Sequence, residues 1–256
     1  MTRPRIYSIE GNIGSGKTTI IENLQKTFEN NPNVIFIREP VDIWQTIQDA
    51  NGETILAKFY KDPAKYAFTF QVMAYSTRLS MLRSVIRQNP QCDTIICERS
   101  LDADKYIFEK MLYADGLIDE VSHQIYQRFY GEFQDEFQLA GIVYIDADAE
   151  VCKRRIAKRA RVGEETVALD YLKKCQQYHE AWLSDHELNA HVLKIKTNED
   201  VTYDLTCPND KGLVWMMQIL EFISLTKVHT LTPVESLEEV YGRRLESFEE
   251  FYNPNI

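Results

Sequence analysis

The sequence predicts an α/β fold in which a five-stranded parallel sheet is covered by helices on both faces. Three observations carry that expectation. Five short, β-branched apolar runs recur: IYSI (6–9), VIFI (34–37), TIIC (94–97), GIVYI (141–145) and HVLKI (191–195). Each is followed by a polar loop and a longer helical pattern, the alternation expected when parallel strands are joined by crossovers. The first run leads directly into a glycine-rich stretch, GNIGSGKTT (11–19), and then into the helical pattern TTIIENLQKTF.

A chain of 256 residues can build one α/β domain with a full core, and no repeat, low-complexity tract or linker divides it. One domain over 1–256 is therefore expected. The formal net charge is −10, so the surface as a whole repels polyanions and a nucleic-acid polymer is a poor partner. A nucleotide would need a local basic pocket. Cys92, Cys97, Cys152, Cys175 and Cys207 show no paired spacing, which reads as reduced thiols in the cytosol. The first strand begins within about five residues of Met1, leaving no room for a targeting peptide. No apolar run approaches the ~20 residues of a membrane span. The expected setting is cytoplasmic, with no membrane partner.

Ligands in such sheets bind beyond the carboxyl ends of the strands, so the residues just past each run are the functional candidates. After the first run, Gly11-x-x-x-x-Gly16-Lys17-Thr18 has the spacing of a phosphate-binding loop. Gly11, Asn12, Ile13, Gly14, Ser15 and Gly16 can turn backbone N–H groups around an anion. Lys17 then reaches the outer phosphates, and Thr18, with Thr19 beside it, can ligate Mg²⁺ at the helix start. Kinases, GTPases and ATPases share this pattern. After the second run comes REPVDIW, where Pro40 biases Glu39 toward extended geometry at a strand tip. After the third comes ERSLDADKYIF, which puts Glu98 and Arg99 at another tip. Two acids and an arginine then converge on one cleft edge.

Between the second and third runs, Tyr66–Gln88 reads as one long amphipathic helix. Gln71, Ala74, Tyr75 and Arg78 are spaced 0, +3, +4, +7 and share a face. An amide and a guanidinium beside Phe70 suit recognition of a planar ring; a solvated polar stripe is the plainer alternative. After the fourth run, KRRIAKRAR (153–161) concentrates positive charge in an acidic chain. Arg155 and Arg159 share a helical face and Arg161 extends the run. Its place suits a lid over a transferring phosphoryl group, with a nucleic-acid patch or a solvated face as alternatives.

Six segments, IEGNIGSGKTT, EPVDIW, FYKDPAKYAFTFQ, ERSLDADKYIF, RRIAKRARVGEE and LDYL, fall in the order and spacing of the deoxyribonucleoside kinases. Over roughly residues 5–200 the chain resembles that family, and within it the deoxycytidine/deoxyguanosine kinase branch. The resemblance implies a P-loop kinase fold with an arginine-rich lid at about 153–166, Mg²⁺, an ATP-type nucleoside triphosphate as donor, and a homodimer packed through helices. It implies that Glu39 approaches the deoxyribose 5′-hydroxyl as base, with Arg99 holding that carboxylate and the phosphoryl oxygens. Glu98 would bind Mg²⁺ and competes with Glu39 as proton acceptor; the sequence leaves both open. Tyr60 and Glu164 match the pair that grips the 3′-hydroxyl, and Gln71 the reader of the base edge. Phe70, Phe108, Trp44, Leu56 and Ile13 match the walls around the ring. Lys17 and the lid residues Arg155, Arg159 and Arg161 would act on the phosphates, and Glu199-Asp200 match the segment beside the donor base. Arg78 and Asp104 stand where this branch carries Arg and Asp, whereas thymidine-accepting relatives have smaller or apolar residues.

The expected reaction is transfer of a γ-phosphoryl group to the 5′-hydroxyl of deoxycytidine or a purine deoxynucleoside, in deoxynucleotide salvage. A thymidine-accepting kinase and a non-catalytic nucleotide-binding subunit are the alternatives. A nucleoside monophosphate kinase would want a second basic clamp and no carboxylate aimed at the acceptor, so Glu39 argues against it. The chain departs from the family at Leu101-Asp102-Ala103, where Val-Tyr-Ser is usual, and Asp102 is expected to alter the pocket rim. Ala149 replaces a proline at the entry to the lid helix. From about residue 201 the resemblance fades. The tail VESLEEVYGRRLESFEEFYNPNI reads as an acidic amphipathic helix, within an extension at about 226–256 whose role is unread.

Overall fold

The computed structural model describes residues 3–28, 31–161, 164, 166–204 and 206–228. Every apolar run becomes a strand: β1 (Arg5–Gly11), β2 (Val34–Ile37), β3 (Thr94–Glu98), β4 (Leu139–Asp146) and β5 (His191–Lys196). All pairings are parallel and the order is β2-β3-β1-β4-β5. Successive side chains point to opposite faces. Ile6, Ile95 and Ile142 join one core with Leu79, Met111, Tyr126 and Trp182. Their neighbours Tyr7, Ile96 and Val143 join the other, with Ile20, Leu24, Met216 and Ile219. The inner strands β1, β3 and β4 are covered on both faces and almost wholly buried, whereas β5, at the edge, exposes His191, Val192, Lys194 and Lys196 and buries Ile195.

Helices α1 (Lys17–Thr27) and α10 (Lys211–Val228) supply the second core. The first is built by α4 (Pro63–Gln88), α7 (Glu120–Phe133) and α9 (Leu169–Leu183). Two short helices, α2 (Val41–Thr46) and α3 (Ile55–Lys61), pack on α4 through Trp44, Phe59 and Phe70. Past β3 the chain enters a helix almost at once: α5 (Leu101–Ala103), a π-helical turn over Asp104–Glu109, and α6 (Lys110–Ala114). Such π turns gather at functional sites. Helix α8 (Ala149–Arg159) follows β4 and carries the basic run.

Two expectations need adjustment and one alternative is set aside. The long helix begins at Pro63, not Tyr66, because proline at the first position lacks only an N–H that would be unpaired anyway. Asp62 caps it, accepting from the Lys65 N–H at 3.3 Å. The 71/74/75/78 stripe is buried, not solvated. Finally, the extension expected from 226 starts inside α10: Thr226 meets the Tyr7 hydroxyl at 2.9 Å and Lys227 pairs with Asp93. The tail at 234–256 and lid positions 162, 163 and 165 lie outside the described residues. Cys92, Cys97, Cys152 and Cys175 are buried free thiols and Cys207 is exposed. Among the described residues, no helix is long and apolar enough to cross a membrane.

Candidate active site

A cleft of about 590 Å³ opens beyond the carboxyl ends of the strands, running from α2, α3 and α4 across the glycine-rich loop to the segment after β5. Nearly every candidate read from the sequence lines it; Gly11 and Asn12 do not. Their carbonyls instead accept the Lys17 ammonium at 3.0 and 2.8 Å. The Asn12 side chain donates to the Leu172 carbonyl at 2.8 Å, fastening the loop to α9. Gly14 has φ 79°, and a Cβ there would lie 2.7 Å from the Cys152 carbonyl, so only glycine lets the loop sit against α8. Burial, reinforced by the charge of Arg99, lowers the Lys17 ammonium to about 8. A site that costs a lone ammonium this much is one suited to anionic company.

At the start of α1 the Thr18 hydroxyl donates to Glu98 Oε1 at 2.6 Å. These two oxygen groups, side by side next to the loop, suit a hard cation that takes one or two protein oxygens plus phosphate and water, as Mg²⁺ does. Among the described residues no group of three or more His, Cys, Asp or Glu could hold a metal by itself. Arg155 donates to the Ser15 carbonyl at 3.1 Å and to the Glu199 carbonyl at 2.7 Å, and pairs with Asp200 at 3.2 Å. Helix α8, the loop and the segment after β5 are thereby joined. Tyr203 and Trp215 complete that end of the cleft, two aromatics that the sequence reading missed.

The other end is a charge network. Glu39 Oε1 accepts from Arg78 Nη2 at 2.6 Å and forms an ion pair with Arg99, whose Nε lies 3.1 Å away. Arg78 also donates to Asp104 at 3.0 Å and to the Glu98 carbonyl at 3.0 Å. One guanidinium therefore ties three of the charged candidates together. Burial would raise Glu39, but Arg78, then Arg99 and Lys17, override it and hold the carboxyl down at about 2. For Asp104 the balance reverses: burial wins over the pull of Arg78 and pushes it up to about 6. The clamp of Arg78 on Glu39 spans 39 residues of sequence, and no local signal announces it.

Between the ends are the walls. Phe59 stacks on Phe70 with centroids 4.7 Å apart, and Trp44 meets Phe70 edge-on at 5.4 Å. Arg99 lies over Phe108 at 4.7 Å. Gln71 is buried beside them and faces the cleft, with Leu56 and Ala74. Tyr60 and Glu164 line the same cavity, and Tyr171, unforeseen in the sequence, sits edge-on to Tyr60 at 6.4 Å. Arg159 and Arg161 both pair with Glu164. Asp102 is not on the rim: it accepts from the Tyr130 hydroxyl at 2.5 Å and does not line the cleft. The helix that starts at Leu101 turns its second residue toward α7, away from the cleft.

The sequence profile of the family described as Deoxynucleoside kinase matches residues 7–220. The chain is 38% identical over 223 residues to a probable deoxycytidine kinase of fowlpox virus, covering 85% of this chain and 87% of that one. It is 32% identical over 220 residues to a mitochondrial deoxyguanosine kinase of Xenopus laevis, covering 75% and 81%. With the deoxycytidine kinase of Homo sapiens the identity is 30% over 250 residues, covering 87% and 92%. The family match runs past residue 201, where the resemblance was expected to fade, and reaches into α10, which packs against β4 and β5.

Proposed function

This chain belongs to the deoxynucleoside kinase family and is a phosphotransferase acting on a hydroxyl group, and from that premise we propose its substrates and the parts its residues play. It moves the γ-phosphoryl group of an ATP-type nucleoside triphosphate to the 5′-hydroxyl of deoxycytidine and purine deoxynucleosides, and handles thymidine poorly. The observation that carries this reading is the Glu39–Arg78–Asp104 chain of contacts, which joins a carboxylate at the cleft to a charged pair at its far edge. The names of the relatives, deoxycytidine and deoxyguanosine kinases, support the same acceptors.

In this mechanism the phosphate loop wraps the donor and Lys17 leaves the Gly11 and Asn12 carbonyls for the outer phosphates. Phe70, Phe108, Trp44 and Leu56 enclose the acceptor base, with Ile13 toward the loop, and Gln71 pairs with its edge. Tyr60 and Glu164 hold the 3′-hydroxyl. Glu39, ionised and aimed by two guanidiniums, takes the 5′-hydroxyl proton; Glu98 is committed to Thr18 and is the poorer candidate. A weak base suffices, because in a loose transition state the hydroxyl becomes acidic only as it bonds to phosphorus. Arg99 and the lid arginines Arg155, Arg159 and Arg161 stabilise the charge on the transferring group. Thr18 and Glu98 are the residues that would hold Mg²⁺, which would supply positive charge against the donor phosphates.

Free cysteines support a reducing, cytoplasmic setting, and the family resemblance supports a homodimer. The test is phosphorylation of the four natural deoxynucleosides, each with ATP and with UTP. Deoxycytidine and the purine deoxynucleosides are expected to be turned over well above thymidine; thymidine as the best acceptor would overturn the proposed specificity.

A further inference from the structure

The buried carboxylate of Glu10 takes no part in the steps above. It lies next to last in β1, fully enclosed, and does not line the cleft. Its Oε1 accepts from both the backbone N–H and the hydroxyl of Ser100, at 2.8 and 2.7 Å. Ser100 passes the contact on by accepting from the Ala103 N–H at 3.0 Å, which caps α5. One residue earlier, the Arg99 N–H donates to the Ile9 carbonyl at 3.1 Å. Two consecutive residues of β1 thus grip two consecutive residues of the turn after β3.

That turn needs gripping. Arg99 has φ 65°, the left-handed region that residues with a Cβ avoid. Such a conformation persists only where its surroundings over-determine it, and it is concentrated at active sites. Arg99 in turn contacts Glu39 at 3.1 Å and covers Phe108. Neither Glu10 Oε2 nor Arg99 Nη1 has a hydrogen-bond partner among the described residues. Burial raises the Glu10 carboxyl, and Arg99 is the charge that opposes this most, ahead of Arg78 and Lys17. Burying a carboxylate only to fill space is unfavourable, so its contact with the turn is the informative one.

We propose that Glu10 is a positioning residue for phosphoryl transfer, locking the Arg99-Ser100 turn so that Arg99 is set against Glu39. The proposal rests on the reading of Glu39 as the base. It is tested with Glu10→Leu, which removes the acceptor for Ser100, and Glu10→Gln, which keeps one, each alone and combined with Glu39→Gln. Glu10→Leu is expected to lower kcat about ten- to a hundredfold, the scale of a small misplacement in a reacting site. KM for the deoxynucleoside should stay within about twofold, and Glu10→Gln should recover most of kcat. Added to Glu39→Gln, Glu10→Leu should cost clearly less than it does alone, because the part of its effect that runs through that carboxylate is already lost. A wild-type kcat in Glu10→Leu, or losses that multiply with Glu39→Gln, would overturn the proposal. If Glu10→Leu does not fold, Ser100→Ala goes through the same cycle with the same deciding outcomes. Full turnover in Glu39→Gln alone would overturn the base assignment instead, so the two failures are distinguishable.

Discussion

The Arg78–Asp104 pair can be removed in two ways, and the structure distinguishes them. Arg78→Met alone leaves the Asp104 side chain, 3% exposed, without its guanidinium. Breaking one side of a buried pair costs about 3–5 kcal/mol. Asp104 is already pushed up to about 6 by burial, even against the pull of Arg78. Without arginine it rises further and can stay protonated near neutral pH, so the low end of that range, about 3 kcal/mol, is expected. A carboxyl whose folded pKa is raised binds more protons folded than unfolded, so its cost grows as pH rises through that window and shrinks below it. Arg78→Met with Asp104→Ala leaves no orphaned charge and should recover about 1–2 kcal/mol of the single variant's loss at pH 8. The double variant should also admit thymidine, raising its kcat/KM relative to deoxycytidine by about a hundredfold or more once bulk and unpaired charge leave the base edge. Turnover of deoxycytidine and the purine deoxynucleosides should fall about tenfold, because Glu39 loses the shorter of its two guanidinium contacts. Denaturant unfolding at pH 5 and pH 8 and steady-state kinetics on each nucleoside would measure all of this. A double variant as unstable as the single at pH 8, or an unchanged thymidine-to-deoxycytidine ratio, would refute the reasoning.

Glu39→Gln keeps an oxygen for Arg78 but cannot take a proton, so kcat should fall about 10²–10⁴-fold with modest change in nucleoside affinity; near-full turnover there, with Glu98→Gln inactive, would transfer the role of base to Glu98. Arg161→Ala leaves Glu164 paired to Arg159 and should lower kcat about tenfold or more while nucleoside binding without donor barely changes. An equal loss in that binding assay would make Arg161 a pocket residue. Burial draws His179 down to about 3, and its Nδ1 donates to the Cys175 carbonyl at 2.6 Å. The unfolded chain takes up this proton near 6.5, so the contribution is complete above that pH and lost as pH falls toward 3, at up to about 1.4 kcal/mol per unit. The stability difference between the wild type and His179→Gln should therefore narrow by about 2 kcal/mol from pH 6.5 to pH 5; a constant difference would show that His179 does not titrate in this way.

Much of this molecule was legible along the chain because its causes are local. Strands favour β-branched and other apolar side chains that fit a pleated, packed surface, so all five strands could be found from their composition, and Gly11 to Thr18 announces a phosphate loop because backbone N–H groups can converge only where glycine permits the turn. Proline after Glu39 placed that acid at a strand tip, and helical spacing put Gln71 and Arg78 on one face. Spacing could not say that the face is buried, nor that Asp102 turns to Tyr130 while Asp104, two residues on, turns to Arg78. Those outcomes depend on where α4, α7 and the π turn meet in space. The deciding contacts are through-space ones: Arg78 reaches Glu39 across 39 residues and Glu10 reaches Ser100 across 90. Periodicity and turn chemistry act over a few residues, whereas burial and Coulomb attraction act over a few ångströms whatever the separation along the chain. Hence the strands, the loop and the cast of charged residues could be read one residue after another, while which carboxylate each arginine holds, and how acidic that carboxylate becomes, was decided only when the strands were laid side by side.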